Sequence, residues 1–248
     1  MSQLLRISSK DRDKDQSLSS SSFKISFNNA SNLQSIKRIV VKTVTIPNSF
    51  YNINEFNRTF TYKTDEITFV SVTIPSGQYN IEDFITAFNL SLAGIGMTAS
   101  LNTVTGKLQY VNTTTIRYLN QEDGNAMADV LGIKTSATEN VSSYSSEHLP
   151  NLSGTSEVYV VSNVLSDNSN MINKSLLSLP VLVCVPITSS FGSLTHYYAN
   201  DSLLEEVVYY SQRLGKNIQS VDIKLIDRNG NLLDLQGLEF EMILRVYF

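Results

Sequence analysis

The sequence predicts an all-β protein, an antiparallel β-sandwich with one or two short helices in its connections. Three observations predict this class: many short segments alternate apolar and polar residues, only two segments have helical periodicity, and the connections are long and polar. The chain of 248 residues is too long for an immunoglobulin-like domain of about 100 residues, and its segments are irregularly spaced. Among sandwich folds, a single jelly roll therefore suits it best.

The predicted strands begin at residues 23–27, where apolar and polar side chains alternate as in a strand with one buried face. Residues 35–46 and 66–74 are rich in β-branched side chains, and each run stops at a proline, which cannot continue a central ladder. Asn229-Gly230 predicts a type I′ hairpin turn, which needs positive φ at both positions. Further strands are predicted at 97–101, 107–118, 156–165, 179–187, 218–227 and 238–248.

Two segments predict helices. Asn80 can cap the first, with Asp83 three residues later as the acid of a capping box. Its apolar side chains then fall on one helical face, at Ile81, Phe84, Ile85, Phe88 and Leu92. The second is a short turn over 125–131, which Gly132 closes.

The domain prediction has two parts, a flexible N-terminal arm over residues 1–22 and a single jelly-roll domain over 23–248. Residues 8–22 are polar and low in complexity, so they cannot bury enough apolar area to offset the entropy lost on ordering. The stretch at about 120–155 is rich in Ser, Asn and Thr and predicts a long polar surface loop or insertion within the domain.

The charge balance argues against a protein that coats a genome. The chain carries 19 basic and 23 acidic side chains, a net charge of −4, whereas attraction to nucleic acid needs clustered Lys and Arg. Charged residues make up 17 % of the chain, below the roughly 25 % of an average globular protein. Ser and Asn replace them, with 34 and 23 copies. This composition suits protein interfaces, where desolvating Lys and Glu is costly.

The single cysteine and the two histidines limit the possible chemistry. Cys184 allows no internal disulfide and lies in an apolar run, so we expect it to be a small buried side chain. His148 and His196 with one Cys cannot supply an ordinary zinc site, although oxygen-only metal sites stay open. The sequence has no signal-peptide core and no 18-residue apolar span. We therefore expect folding in a reducing compartment and no membrane span.

No catalytic motif stands out, and the sequence predicts no enzyme, no metal site and no cofactor. Phosphate-binding loops, the dinucleotide fingerprint, the nucleophile elbow and the zinc-protease motif do not occur. Adjacent acids at Glu82-Asp83, Glu122-Asp123 and Glu205-Glu206 point in different directions on a strand or a helix. A carboxylate pair assembled from distant strands remains an open alternative.

Several phrases, in this order and spacing, resemble the penton-type minor capsid proteins of virophages, Polinton-like elements and related double-stranded DNA viruses. The resemblance covers the chain from about residue 35 to its C-terminus. The phrases are Val44-Thr-Ile-Pro-Asn-Ser-Phe-Tyr-Asn-Ile53, Ile74-Pro-Ser-Gly-Gln-Tyr-Asn80, Val130-Leu-Gly-Ile133, Val185-Pro-Ile-Thr-Ser-Ser-Phe-Gly-Ser193 and Ile226-Asp-Arg-Asn-Gly-Asn-Leu-Leu-Asp-Leu-Gln-Gly-Leu238.

The resemblance implies a structural protein of the virion. It implies a single jelly roll of which five copies close each five-fold vertex of an icosahedral capsid, surrounded by the double-jelly-roll major capsid protein. Such a protein is made in the host cytoplasm or a viral factory and has no specific nucleic acid partner. Some relatives carry an inserted or appended spike domain, for which we expect no room here beyond 120–155, and residues 227–234 would be a scaffolding hairpin.

A closed ring of five needs two different, complementary faces on each subunit. The arm offers one candidate contact, because a polar segment can order on a neighbour, and the segment 191–198 offers the other as an exposed loop, unless its aromatics are buried. The candidate interface residues are Lys10, Arg12, Lys14, Phe191, His196, Tyr197 and Tyr198.

Two other classes of function stay open. A viral β-sandwich module of the fibre or spike type would bind a receptor or glycan through loops 120–155 or 188–202, and would commonly be a trimer. The chain has no Trp for a sugar platform, although its 12 Tyr could substitute. An enzyme on a jelly-roll scaffold would need a pocket holding acids of perturbed pKa.

Overall fold

The structure is a computed structural model of the 248-residue chain. It describes the whole chain apart from residues 18, 28–32, 66, 167–169, 172–177, 200–206 and 211–216. Two helices, α1 Ile81–Leu92 and α2 Ala128–Leu131, and a short 3-10 turn over Ser9–Asp11 accompany the strands. The strands are β1 Ser2–Ser8, β2 Ser22–Ser26, β3 Arg38–Pro47, β4 Thr59–Lys63, β5 Phe69–Thr73, β6 Met97–Leu101, β7 Leu108–Tyr118, β8 Val141–Ser145, β9 Glu157–Val161, β10 Asn170–Met171, β11 Ser178–Leu179, β12 Val181–Pro186, β13 Leu194–Tyr198, β14 Val207–Tyr210, β15 Ser220–Ile226 and β16 Glu241–Tyr247.

The chain divides into two compact units. The first, here called the sandwich unit, comprises residues 1–50 and 155–248, and the second, the inserted unit, comprises residues 51–154. The sequence predicted a single domain with a polar loop at about 120–155, and the structure differs. That stretch contains α2 and β8, which belong to a unit with its own hydrophobic core. The insertion is therefore larger than the polar composition of 120–155 indicated.

The sandwich unit has the strand order of a jelly roll. One sheet has the order β1-β16-β3-β13, with β14 also paired to β3, and the other has the order β12-β9-β15-β2. All pairs are antiparallel. Along the chain, β1, β3, β13 and β16 belong to the first sheet and β2, β9, β12 and β15 to the second, as in the two Greek keys of a jelly roll. The predicted fold class is confirmed.

Alternation of side chains builds the core of the sandwich unit. On β16, Met242, Leu244 and Val246 are buried while their neighbours are half-exposed. On β15, in the opposite sheet, Val221, Ile223 and Leu225 are buried and the residues between them are not. These six side chains belong to one hydrophobic cluster. Two sheets that share one cluster pack face to face, because this packing removes the apolar surface of both sheets from contact with water.

The predicted flexible arm is ordered at its start. Residues 2–8 form β1, which pairs with β16 in a continuous antiparallel register from Ser2↔Tyr247 to Ser8↔Glu241. Ile7 is fully buried and Leu5 packs against the core. The strand β1 precedes the polar segment 8–22 almost entirely, so the composition of that segment gave no information about it. Within 8–22, Ser9 and Ser21 are buried and their hydroxyl groups form hydrogen bonds, which avoids the cost of burying an unpaired polar group.

The predicted hairpin after β15 differs from the structure in two ways. Gly230 has φ +86°, but Asn229 does not have positive φ, so the turn is not of type I′. Asp227 closes it, since its carbonyl accepts from the Gly230 amide at 3.1 Å and its carboxylate from the Asn231 amide at 2.9 Å. Moreover, β15 and β16 lie in different sheets. The segment is thus a short local hairpin, since Ile226 forms an antiparallel bridge with Leu232 and the Leu233 amide donates to the Leu225 carbonyl at 3.0 Å. Beyond this hairpin the chain crosses to the other sheet.

The inserted unit is an antiparallel sheet covered by a helix. The sheet has the order β5-β4-β7-β6, and β8 also pairs with β7. Both helix predictions are confirmed: Asn80 accepts from the Asp83 amide at 2.9 Å and donates to its carboxylate at 2.7 Å, and Gly132 ends α2 at φ +73°. Phe84, Phe88 and Leu92 of α1 are buried. The amphipathic spacing read from the sequence therefore provides the apolar face that covers this sheet.

The inserted unit begins and ends at adjacent points. The Asn52 side-chain amide donates to the carbonyl of Tyr79 at 2.7 Å and to that of Leu152 at 2.9 Å. Gly154, at φ +68°, lies so close that a β-carbon there would be 3.3 Å from the Asn52 Cα atom. The two ends of the unit therefore lie side by side, joined by a buried asparagine.

Candidate interface

The outward side of the sheet β1-β16-β3-β13 is the candidate interface. We call it the arginine-aromatic face, and its defining residues are Leu4, Arg6, Leu194, His196, Tyr198, Ile243 and Arg245. They are the outward half of each strand's alternation, since their neighbours Ile7, Thr195, Met242 and Leu244 are buried. Because cross-strand neighbours lie about 5 Å apart, these residues form a continuous surface.

The register places one aromatic, one aliphatic and one arginine side chain of the face in a single row. Tyr198 lies opposite Thr43, Thr43 opposite Ile243, and Ile243 opposite Arg6. In the next row, Arg245 lies opposite Leu4. Tyr198 is 70 % exposed and Leu4 is 59 % exposed, which is high for side chains of this size. Three strands, β1, β13 and β16, thus present aliphatic, aromatic and guanidinium groups on this face, and β3 contributes Thr43 between them.

The two arginines of the face differ in whether a carboxylate among the described residues of the chain binds them. The Arg6 guanidinium binds Glu241 through two contacts, Nε to Oε1 at 2.7 Å and Nη2 to Oε2 at 3.0 Å. This hydrogen bond lowers the pKa of the Glu241 carboxyl below its ordinary value. Within the described part of the chain, no carboxylate forms an ion pair with Arg245.

A polar cluster fixes the end of β1. The Phe240 amide donates to Ser9 Oγ at 2.9 Å, and Ser9 Oγ donates to the Glu239 carboxylate. Arg12 Nη1 donates to the same carboxylate at 3.1 Å and to the Ser9 carbonyl at 2.6 Å. Burial would raise the pKa of Glu239, but the hydrogen bonds from Ser9 and Arg12 outweigh it and lower that pKa. The cluster holds the N-terminal segment on its own chain.

The residues of the predicted interface lie in three environments. Lys10 and Lys14 are exposed in successive turns after β1. Arg12 is half-buried in the pair with Glu239, so its charge is already compensated. The structure therefore does not bring these three together as one basic surface. Whether any of them contacts a neighbour stays a prediction.

The segment 191–198 is a turn followed by the strand β13, and not the loop that the sequence predicted. Phe191 is exposed in the turn. His196 and Tyr198 point outward, with His196 Nδ1 3.1 Å from Thr45 Oγ1, whereas Tyr197 points inward and packs against the core. Pairing with β3 along its full length makes this segment a strand. The structure thus brings His196 and Tyr198 together on the arginine-aromatic face.

Sequence reasoning missed Leu4, Arg6, Ile243 and Arg245. The strand 238–248 was predicted, and its alternation alone would have placed Ile243 and Arg245 on one face. The strand β1 has only Leu5 and Ile7 as inward apolar residues, too few for a periodic signal. Its neighbours in the sheet could not be known without the fold.

The outward side of the other sheet, here called the lysine-acid face, has a different composition. Lys24 lies opposite Asp222, whose carboxylate accepts from Ser162 Oγ and the Val164 amide, each at 3.0 Å. Lys224 is exposed on the same strand as Asp222. This face is a solvated mixture of both charge signs.

Cys184 belongs to the lysine-acid face and is exposed, which corrects the expectation of a buried thiol. The apolar run around it is a strand whose alternation turns Cys184 outward, opposite Tyr159. Tyr159 donates to Glu157 at 3.0 Å, and burial together with this bond raises the pKa of Tyr159 to about 12.

The inserted unit contains a stack of tyrosines. The rings of Tyr118 and Tyr144 are 4.5 Å apart at 15°, and Tyr110 lies beside both. Tyr118 donates to Asn112 Oδ1 at 2.8 Å, and Tyr144 donates to Glu147. Burial raises the pKa of all three phenols, so they remain protonated and act as donors. The stack therefore forms part of the core of the inserted unit.

The inserted unit also has a shallow groove of about 500 Å³, mainly apolar, lined by Tyr79, Ile81, Leu101, Leu149, Pro150 and Leu152. Among the described residues, no three His, Cys, Asp or Glu side chains are grouped so that they could hold a metal ion. None of the helices in the described part of the chain is long and apolar enough to cross a membrane.

Comparison with known proteins finds similarity at the level of structure. The sequence matches no protein-family model, and a search of curated proteins finds no match. Among solved structures, the chain is similar to the crystal structure of SeMet-labeled mavirus penton protein, with 15 % identity and a TM-score of 0.49. The similarity covers 99 % of this chain and 99 % of that chain.

Proposed function

We propose that this protein is a structural capsid protein that forms homopentamers at the five-fold vertices of an icosahedral double-stranded DNA virus. Its partners would be its own copies and a surrounding double-jelly-roll major capsid protein, its location the virion, and its site of synthesis the host cytoplasm or a viral factory. It would act without catalysis or a cofactor.

The observation that carries this proposal is the jelly roll of the sandwich unit. Eight strands in the order β1-β16-β3-β13 and β12-β9-β15-β2 form a fold that viral capsid proteins share with lectins and cupins. The ordered phrases between residues 44 and 238 favour the capsid class among these three. The fold alone does not determine function, so the proposal also rests on a surface suited to association.

The two outward faces of the sandwich unit favour a cyclic assembly. A ring closes when each subunit uses two different surfaces, one toward each neighbour. The arginine-aromatic face and the rest of the surface differ strongly in composition, so a heterologous contact has a chemical basis. His196 and Tyr198, both predicted as contacts, lie exposed on this face.

The test is the native mass of the full-length protein, measured by light scattering with negative-stain images of the same sample. We expect a species of about 138 kDa, five times the 27.6 kDa of one chain, with five-fold rings. A stable trimer would contradict the proposal and favour a receptor-binding module.

A monomer would move the test to the partner. The chain would then be co-expressed with a double-jelly-roll major capsid protein, and the particles would be imaged. Density of this chain at the five-fold vertices would support the proposal. Shells that form closed vertices without it would contradict the proposal.

A further inference from the structure

We propose that the arginine-aromatic face docks against the inserted unit, residues 51–154, of a second copy of this chain. The inference rests on the proposed self-association and names the surfaces that make the contact. It does not depend on the number of subunits in the ring.

The composition of the face is that of a protein interface. Its defining members are Arg, Tyr, His, Leu and Ile, with Glu241 as its acid, whereas the lysine-acid face presents Lys24, Asp222 and Lys224 beside Tyr159 and Cys184. Arginine and aromatic residues are enriched at the centre of interfaces, and Lys, Asp and Glu are depleted there. Of the two outward faces, the arginine-aromatic face is therefore the one suited to burial against protein.

The charge of the face identifies the chemistry of its partner. Glu241 is the acid of the face and is bound by Arg6, while Arg245 has no ion-pair partner among the described residues. An apolar surface would leave this guanidinium buried without compensation, which is costly. The partner must therefore offer carboxylates.

The inserted unit carries those carboxylates. Residues 51–154 contain ten acidic and five basic side chains, a net charge of −5, whereas the sandwich unit has 13 acidic and 14 basic side chains, a net charge of +1. The net −4 of the chain is thus concentrated in one unit. Of the nine of these acids that the structure describes, seven are exposed, at Glu55, Asp65, Glu82, Asp83, Glu122, Asp123 and Glu139.

Charge complementarity between two copies therefore favours a contact between a sandwich unit and an inserted unit over a contact between two units of the same kind. Two sandwich units would bring their guanidinium groups together, and two inserted units would bring their carboxylates together, each at an electrostatic cost. One sandwich unit against one inserted unit also makes the contact heterologous, as a ring requires. Association through this contact should weaken as salt increases.

The first experiment compares two charge reversals in full-length protein by sedimentation velocity, R245E and K224E. Arg245 and Lys224 both lie within seven-residue strands that have a neighbour on each side, but on opposite faces. We expect R245E to weaken self-association at least about tenfold and K224E to leave it unchanged. Equal effects of the two variants would overturn the proposal. Circular dichroism and hydrogen exchange check that both variants fold.

The second experiment identifies the partner surface. R245K keeps the positive charge and supplies an amine, which a carbodiimide couples directly to a carboxylate in contact with it. Equal amounts of ¹⁴N- and ¹⁵N-labelled R245K chains are mixed, cross-linked and digested for mass spectrometry. We expect mixed-isotope links from residue 245 to acids within 51–154. Links confined to one isotope, or to acids of the sandwich unit, would overturn the docking.

The outcomes separate this proposal from the pentamer. A pentamer that R245E does not weaken would leave the vertex proposal standing and overturn the docking. A dimer or trimer with mixed-isotope links to 51–154 would support the docking and contradict the vertex proposal. A wild-type chain that remains monomeric at all concentrations overturns the docking, whereas the vertex proposal is then decided by co-expression with the major capsid protein.

Discussion

The two units of this molecule solve the same packing problem with different side chains. The core of the sandwich unit is built mainly from Val, Ile and Leu, whereas that of the inserted unit is rich in Phe and Tyr. Two facing sheets supply inward side chains from both sides, and β-branched residues fill the gap of about 10 Å between them. A single sheet under one long helix has fewer inward positions, so each must fill more volume.

The comparison extends to the surface. The inserted unit carries a net charge of −5 and the sandwich unit +1, so the two differ in charge as well as in core. Each has its own hydrophobic cluster. The following substitutions test how separate the two cores are, from the largest expected effect to the smallest.

Phe88→Ala should have the largest effect. Phe88 is fully buried, with its ring 5.4 Å from that of Phe60 and 5.7 Å from that of Phe84. Removing it leaves a cavity at the centre of the aromatic cluster, and we expect a loss of about 3–5 kcal/mol in the free energy of unfolding.

Hydrogen exchange shows which unit is destabilised by Phe88→Ala. Amides of β7 should lose protection while those of β15 keep it, and Leu225→Ala in the sandwich core should give the opposite pattern. Equal loss in both units for either variant would mean that the cores unfold as one.

Gly132→Ala should be the next most severe. Gly132 has φ +73°, and a β-carbon there would lie 2.3 Å from the His148 carbonyl oxygen. We expect a loss of about 2–3 kcal/mol, from left-handed strain and from displacing backbone. Gly124→Ala is the control, because Gly124 has φ +86° with nothing within 4 Å. Chemical denaturation of the two variants separates steric clash from strain, and equal losses would contradict the clash.

Glu239→Gln tests the fixation of β1 in the sandwich unit. The folded-state pKa of Glu239 is lowered, so its contribution to stability is present above the unfolded pKa and is lost as pH falls through the folded value. We expect β1 amides to lose protection, by on the order of 1 kcal/mol, at neutral pH. The loss of protection on acidification below about pH 4.5 should also become shallower.

Hydrogen exchange of residues 2–8 between pH 3 and 7 measures both effects of Glu239→Gln. The exposed Glu122→Gln serves as the control. A wild-type acid response that E239Q leaves unchanged would contradict the role of this carboxylate.

Tyr118→Phe should have the smallest measurable effect. The substitution keeps the ring stack with Tyr144 and removes the donor to Asn112 Oδ1. Asn112 is buried, so we expect about 1 kcal/mol of destabilisation, measured by thermal unfolding. Tyr198→Phe, at an exposed phenol, should change nothing. Identical unfolding temperatures for the two variants would show that the buried hydrogen bond contributes no net stability.

Much of the fold could be predicted because local patterns agree with it. Residues 97–101 were predicted as a strand and form β6, and the cap at Asn80 begins α1. Strands with few inward apolar residues could not be found in this way. Examples are β1 and β13, which are strands because β16 and β3 supply their hydrogen-bond partners.

Less of the candidate interface could be predicted. His196 and Tyr198 were named as candidate contacts with their exposure left open, and the assignment of a loop hid their common face with Ile243 and Arg245. Cys184 was expected to be buried because its neighbours in the sequence are apolar. Its place in the alternation of the strand decides instead which side of the sheet it occupies. The division at residues 51 and 154 depends on contacts between distant positions, for which a single sequence has no periodic signal.

The adjacent ends of the inserted unit, with Asn52 beside Gly154, make it a replaceable cassette. A module whose entry and exit lie side by side can be exchanged for a short turn, or for a different module, without stretching the strands that flank it. Recombination could therefore give related chains a different inserted unit while the β-sandwich is inherited unchanged. A lineage built on this plan would diverge fastest between the strands corresponding to β3 and β9.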